Sequence, residues 1–248
     1  MLAAIIQARV NSSRLPAKVL LDLAGKPMLA RVIERIRLAR HVDKVMVATS
    51  TAERDDPVAA LSESLGVACF RGSEIDVLNR YYWAATSVGA QTIMRVTSDC
   101  PLIDPEIVDQ AIVAHREMRP RPDYVANEGY PRGFDVEVFG FDVLERAWRD
   151  DHDPVTREHV TAYITQRPDQ FVMASIDCPE QLAHLRLTVD TIEDYQLLYK
   201  IFREFGDRHF GWRDVVDLLK ERKDWLRLNA HVRQLRVGEP HDADRKPA

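Results

Sequence analysis

The sequence predicts an α/β fold: a mostly parallel sheet flanked by helices, followed by an α+β second half. Three observations carry this. Short apolar runs alternate with amphipathic segments through the first half of the chain. The first run, "LAAIIQ" (2–7), is continuously apolar up to its closing Gln7, as a strand covered on both faces should be. Beyond the middle of the chain, two strand patterns follow one another directly across a Gly/Pro-rich connection, and strict alternation ends.

Each element follows in order. After Pro27 comes "MLARVIERIRLARH", where Leu29, Val32, Ile33 and Ile36 share one helical face and Arg31, Glu34 and Arg35 are expected to point away. "KVMVATS" (44–50) is the next strand. Asp55 and Asp56 before Pro57 predict a capped helix over "VAALSESLG", closed by Gly66. "VACF" (67–70) predicts a strand, 74–88 a helix and "TIMRVT" (92–97) a further strand, giving a βαβαβαβ order. A helix over 105–118 leads to "DYVAN" and "FDVEVFG", two strands joined by "EGYPRG". Helices around 141–149 and over 156–166, strands at "FVMASID" and "HLRLTVD", and helices over 191–205 and 212–221 complete the order. Residues 1–228 are expected to form one domain. Residues 229–248, ending in "VGEPHDADRKPA", are polar and contain Pro, so a disordered tail is expected there.

Composition narrows the function classes. The 248 residues suffice for a sizeable core, and 46% hydrophobic with 29% charged residues is the balance of a globular protein. A net charge of −5 gives no field that would gather nucleic acid, so no nucleic-acid partner is expected and any anion site must be local. The start "MLAAIIQARV" meets Arg9 too early for a secretory leader, and no later stretch approaches the roughly 20 apolar residues of a membrane span. Cys69, Cys100 and Cys178 lie too far apart to suggest zinc or a disulfide framework, which fits a reducing cytoplasm.

The stretch "IIQARVNSSRLPAKVL" (5–20) sets Arg9, Arg14 and Lys18 on a loop with Ser12 and Ser13. Forked Arg donors, a Lys point charge and small hydroxyl residues suit a triphosphate. The same residues suit a solvated loop, and neither GxxxxGK[ST] nor GxGxxG is present. In open α/β sheets ligands bind beyond the carboxyl ends of strands, and Arg9, Asp99 and Asp190 each follow such an end. Asp99 in "VTSDCPLIDP" suits a Mg²⁺ ligand or a turn, while Asp104 before Pro105 suits a helix cap. Asp190 in "LTVDTIEDY" suits a second ligand or a cap, with Thr191 and Asp194 spaced as a capping box. In "GFDVEVFG", Asp135 and Glu137 share a sheet face and turn either to solvent or to a substrate. "TREHVTAYI" offers Arg157 and His159, the latter as a base or as a structural residue.

Together these stretches resemble a known family. "IIQARVNSSRLPAKVLLDLAGKPMLARVIERI" is similar to the N-terminal signature of the CMP-sugar synthetases, the CMP-KDO synthetases and acylneuraminate cytidylyltransferases. Arg9, Ser12, Arg14, Leu15, Pro16 and Lys18 fall on its Arg-x-x-Ser-x-Arg-Leu-Pro-x-Lys core. "SDCPLIDP" resembles the Asp-x-Pro-Leu-Ile motif, and "VDTIEDYQLL" the Asp-Thr-Pro-Glu-Asp motif. "RGSEIDVLNRYY", "GFDVEVF" and "REHVTAYI" resemble segments of the spore coat polysaccharide branch, and the likeness runs in order over about residues 2–205.

The resemblance implies a GT-A-like nucleotidyltransferase fold and a Mg²⁺-dependent cytidylyltransferase. Such an enzyme moves CMP from CTP to an acidic sugar or related small acceptor in surface polysaccharide or glycoconjugate biosynthesis, releasing pyrophosphate. It implies that Ala8, Arg9, Ser12, Arg14 and Lys18 bind the nucleotide, with Asn79 and Arg80 near the cytidine. Asp99 and Asp190 would hold the metal and, with Arg14 and Lys18, carry catalysis. Asp135, Glu137, Arg157 and His159 would line the acceptor pocket, and the family's habit implies a cytoplasmic homodimer. Three rivals stand beside this reading. A glycosyltransferase normally carries DxD, where this chain has Ser98, Asp99 and Cys100. The others are a UTP- or GTP-specific transferase and a non-catalytic nucleotide-binding protein. The chain departs from the pattern at Asn11, Ala17, Ser98 and Ile192, where Gly, Gly, Gly and Pro are usual. If Ala17 takes a positive φ, its Cβ costs roughly 1 kcal/mol or more.

Overall fold

The computed structural model describes residues 1–206 and 208–234. The apolar run Leu2–Gln7 is the central strand β1. It pairs in parallel with β2 (Lys44–Ser50) and β4 (Thr92–Thr97), and β2 pairs in parallel with β3 (Ala68–Gly72). Beyond β4 lies β6 (Glu137–Gly140), antiparallel both to β4 and to β5 (Tyr124–Glu128). β5 in turn pairs in parallel with β7 (Met173–Asp177). The resulting seven-stranded order is β3-β2-β1-β4-β6-β5-β7, and β6 alone runs against the others.

Helices cover both faces, which explains why β1 is apolar from Leu2 to Ile6. Ala4 and Ile6 enter the larger core with α1 (Met28–Ile36), α4 (Pro105–Glu117), α8 (Ile192–Phe205) and α9 (Trp212–Glu221). Ala3 and Ile5 enter the opposite core with α3 (Val77–Ser87), α5 (Phe141–Asp150) and α7 (Ala162–Thr165). α2 (Asp56–Ser64) packs on β2 and β3, and one short helix, α6 (Pro154–Glu158), precedes α7.

Several local expectations change in the folded chain. Arg31 and Arg35 do not point into solvent: both are buried, with their guanidinium groups over the rings of Phe202 and Phe210. Arg35 donates to the carbonyls of Ile103 (2.7 Å) and Phe210 (3.2 Å), partners that no local periodicity reveals. Asp55 caps nothing with its side chain. It is buried and accepts the Val10 N–H at 2.7 Å and the Ser50 hydroxyl, tying the loop after β1 to the end of β2. The helix expected over 156–166 breaks at Val160, whose φ is +55°. "HLRLTVD" forms a single bridge, Arg132 to Arg186, rather than a ladder strand. Its N–H groups go to separate carbonyls, Leu187 to Arg132 and Val189 to Asp99. Asn229, where the tail is expected to begin, is instead buried and donates to Asp194 at 2.8 Å. Residues 235–248 lie outside the described residues.

Candidate active site

Strand order reverses at β1, whose neighbours β2 and β4 are reached by crossovers in opposite directions. A cleft of about 360 Å³ opens beyond the carboxyl ends of β1 and β4, where such a reversal leaves a crevice. The loop after β1 forms one wall. Its N–H at Ala17 bonds the Val10 carbonyl at 3.0 Å, closing the loop on itself. Ala17 sits at φ +54°, the left-handed conformation anticipated above, and this bend starts the 3-10 turn Lys18–Leu20. Lys18 thereby enters the cleft, which Ala8, Arg9, Ser12 and Arg14 also line.

Lys18 is the centre of the charge arrangement. Its Nζ donates to Asp190 Oδ1 at 2.8 Å, Asp99 Oδ2 at 3.1 Å and the Val189 carbonyl at 2.7 Å. Burial opposes its charge, but Asp99 and Asp190 outweigh burial and hold the ammonium above its usual pKa. Asp190 receives two further cations, Arg14 at 3.1 Å and Arg186 at 2.8 Å. Burial alone would raise the Asp190 carboxyl. Lys18, Arg14 and Arg186 reverse that and hold it well below the usual carboxylate range.

Arg186 and Asp194 went unnoticed as site residues in the sequence. Arg186 bonds both oxygens of Asp194, at 2.9 and 2.8 Å, while Asp194 accepts the Asp190 N–H at 3.0 Å. Asp194 also completes the capping box with Thr191, as its spacing suggested. The available signal was an acid or base every four residues, Arg186, Asp190 and Asp194, running from a loop into a helix start.

The far end of the cleft is built around Arg80. Its side chain is fully buried; Nη1 donates to the Ser73 carbonyl, while Nε and Nη2 have no partner. Burial, with Arg9 nearby, holds its pKa down at about 10. Gly72 makes the room, since a Cβ there would come within 3.1 Å of Arg80 Cγ. Arg9 donates to the Glu74 carbonyl at 2.7 Å and lies 3.6 Å from Glu158. Asn79 is not brought to this cleft. One position earlier on α3, it faces a shallow groove beside Trp148 and Arg157.

A second pocket of about 470 Å³ meets the first at Gln7, Thr97, Asp99 and Asp190, which line both. Asp135, Glu137 and His159 line it, so the two acids of β6 and its approach face this pocket rather than bulk solvent. Glu137 is fully engaged: it pairs with Arg95 and accepts the hydroxyls of Tyr124 (2.6 Å) and Thr161 (2.7 Å). Burial works against its charge, but those partners keep its carboxyl below the usual value. Asp135 accepts only the Gly133 N–H at 2.8 Å and a long contact from Cys100 at 3.9 Å. Its carboxyl is raised, by burial first and then by Asp99 and Glu137, with Arg132 opposing. Burial lowers the imidazole of His159. Arg157 lies elsewhere, held by Asp76 at 2.9 Å and by the carbonyls of Trp148 and Asp151.

Among the described residues no cluster of three or more His, Cys, Asp and Glu could hold a metal ion. Asp99 and Asp190 nevertheless present hard oxygens to one point, the point where Lys18 Nζ sits. Two carboxylates suit Mg²⁺ when phosphate oxygens and water complete its shell. Among the described residues no helix is long and apolar enough to cross a membrane.

The sheet order and the paired pockets at its reversal define a nucleotidyltransferase fold, and a solved relative shares it. A cytidylyltransferase from Leptospira borgpetersenii serovar Hardjo-bovis superposes with a TM-score of 0.87 at 30% identity, covering 91% of this chain and 96% of that one. Residues 3–222 match the cytidylyltransferase family model, and the chain belongs to that family. The spore coat polysaccharide biosynthesis protein SpsF of Bacillus subtilis is 34% identical over 232 residues, 89% of this chain and 94% of its own length. A 3-deoxy-manno-octulosonate cytidylyltransferase of Geobacter sulfurreducens is 40% identical over 113 residues, 45% of this chain and 44% of its own. Family membership sets aside the glycosyltransferase reading.

Proposed function

We propose that the protein transfers CMP from CTP to an acidic sugar or a related small acceptor, releasing pyrophosphate, in the building of a surface polysaccharide or glycoconjugate. The observation that carries this reading is the meeting of two pockets at Asp99 and Asp190. The cation-lined cleft takes the nucleotide, and the second pocket takes the acceptor. Arg80, which lines the inner end of the cleft, supports a place for the base there. Arg132, which lines the second pocket, suits an acidic group on the acceptor.

An acceptor oxygen attacks the α-phosphorus in line; where that oxygen is a hydroxyl, His159, which lines the second pocket, takes its proton. The new O–P bond forms as the bond to the bridging oxygen breaks, and the electron pair leaves with pyrophosphate. Such chemistry asks mainly for positioning and charge neutralisation. Arg9, Ser12, Arg14 and Lys18 hold the phosphates, and Arg14 and Lys18 take up the charge growing on the leaving group. Asp99 and Asp190 hold Mg²⁺, which when bound neutralises the α-phosphate and orients the nucleophile. Asp135, which lines the second pocket, holds a hydroxyl of the acceptor. The three free cysteines support work in the cytoplasm, and the family likeness supports a homodimer.

Calorimetry with CTP, UTP, GTP and ATP, each with and without Mg²⁺, tests the donor. Binding of CTP alone, strengthened by Mg²⁺, is expected. Pyrophosphate release is then followed with 3-deoxy-manno-octulosonate and other sugar acids. Equal binding of UTP or GTP would remove the cytidine assignment, and no binding by any nucleotide would remove the reading.

A further inference from the structure

Before any ligand arrives, the point between Asp99 and Asp190 already holds a cation of the protein's own. All three donors of the Lys18 ammonium are used, two on these carboxylates and one on the Val189 carbonyl. Asp190 is further matched by Arg14 on one oxygen and by Arg186 on the other. The lysine is not a surface side chain that happens to reach across: it and Asp190 are both buried.

Counting charge around this point decides how a metal can enter. Asp99 and Asp190 bring two negative charges, while Lys18, Arg14 and Arg186 bring three positive ones, Arg186 being shared with Asp194. No third metal-ligating side chain joins the pair among the described residues. A lone dication would therefore have to displace an ammonium that makes three bonds and then sit beside two guanidinium groups with only two carboxylates and the Val189 carbonyl to hold it. A nucleoside triphosphate changes that balance. Its phosphates carry about four negative charges and offer Lys18 and Arg14 new partners on the loop they already occupy. Drawing Lys18 onto phosphate frees both carboxylates, and the phosphates supply the remaining oxygens that a hard cation needs.

Resting on the nucleotidyltransferase reading above, we infer that Lys18 is a resident counter-cation that keeps divalent metal out of the Asp99–Asp190 pair until a triphosphate draws it away. Metal and nucleotide then bind with positive coupling, each raising the other's affinity by the same factor, and coupling of this kind is typically about 5–150-fold.

The experiment uses Mn²⁺ as the probe metal, with free Mn²⁺ counted by electron paramagnetic resonance. Wild-type protein and Lys18→Met are titrated with Mn²⁺ alone, and Asp99→Asn in the Lys18→Met background serves as the site control. Wild type is expected to bind Mn²⁺ alone weakly, and Lys18→Met about tenfold or more tightly, with the gain lost in the double variant. Tight binding of Mn²⁺ alone to wild type would overturn the inference, as would an unchanged or weaker affinity in Lys18→Met. The wild-type arm stands even if Lys18→Met fails to fold. Calorimetry with CTP, with and without Mg²⁺, then measures the coupling on wild type. Failure to bind CTP under any condition would sink the nucleotide reading, whereas CTP binding indifferent to metal would sink the coupling alone.

Discussion

Asp190 and Asp135, at the two pockets that meet at Asp99, are treated in opposite ways. In the nucleotide cleft, Asp190 is surrounded by Lys18, Arg14 and Arg186, and its carboxyl is held well below the usual range. In the neighbouring pocket, Asp135 has one backbone donor, and its carboxyl is raised. The first arrangement stabilises the fold before substrate binds. The second leaves a carboxylate with one backbone donor open to the pocket, its oxygens available to something that binds there. A carboxylate whose neighbours already satisfy it is part of the scaffold as well as of the site. One left short of partners is explained by the site alone.

The largest expected effect is therefore at Asp190. Asp190→Ala leaves three buried or half-buried cations without their shared partner, and breaking such a buried pair costs about 3–5 kcal/mol. Urea unfolding should register that loss, while Asp135→Ala should show much less. Equal losses at the two positions would erase the contrast. Asp99→Asn sits between these cases, because Lys18 keeps its bonds to Asp190 and Val189. We expect that variant to stay folded and to lose turnover by orders of magnitude; near-normal turnover would remove Asp99 from the chemistry.

The pH dependence of stability sharpens the contrast, because the two carboxyls shift in opposite directions. A depressed carboxyl contributes stability that is present above its unfolded value, about 4, and is lost as pH falls through its folded value. Asp190 therefore contributes to acid unfolding on the low side of the ordinary range. A raised carboxyl acts in reverse: it costs stability above its folded value, and that cost disappears as pH falls. Asp135→Asn should thus gain stability modestly near neutrality, gain nothing at low pH, and lose turnover. Thermal unfolding at several pH values measures this. A stability loss at neutral pH would mean that Asp135 is structural after all.

What the sequence made legible follows the same division. β1, β2 and β4 were readable because strands covered on both faces announce themselves as apolar runs. The cations of residues 9–18 and Asp99 were readable because they follow strand ends, and Asp190 because an apolar run precedes it, although that run forms one bridge and no ladder strand. Arg186 was not, since its role depends on Asp190 and Asp194 meeting it in space. Asn79 and Arg80 could not be told apart, because adjacent residues on a helix face about 100° apart and only the fold decides which turns inward. Arg157 and His159 part for a similar reason: two residues apart at the end of a helix they face nearly opposite ways, so His159 lines the second pocket and Arg157 pairs with Asp76.

The smallest effect concerns backbone strain, and again each pocket has its own example. Ala17 at φ +54° turns Lys18 into the nucleotide cleft, and Val160 at φ +55° separates His159 from Thr161 beside the acceptor. Glycine would relieve roughly 1–2 kcal/mol of left-handed strain at either position, but it adds about 0.5–1 kcal/mol of unfolded-state entropy. At Ala17 only a methyl is removed, so Ala17→Gly should raise stability by about 1 kcal/mol or less and leave CTP affinity close to wild type. At Val160 the side chain is fully buried in the core on the α3 side of the sheet, and losing it costs about 1.5–3 kcal/mol, so Val160→Gly should destabilise. The pair of urea midpoints separates strain that nothing offsets from strain that packing offsets. If Ala17→Gly instead loses stability, the Ala17 methyl makes a contact that outweighs its strain, and the bend before Lys18 is set by packing rather than tolerated despite its cost.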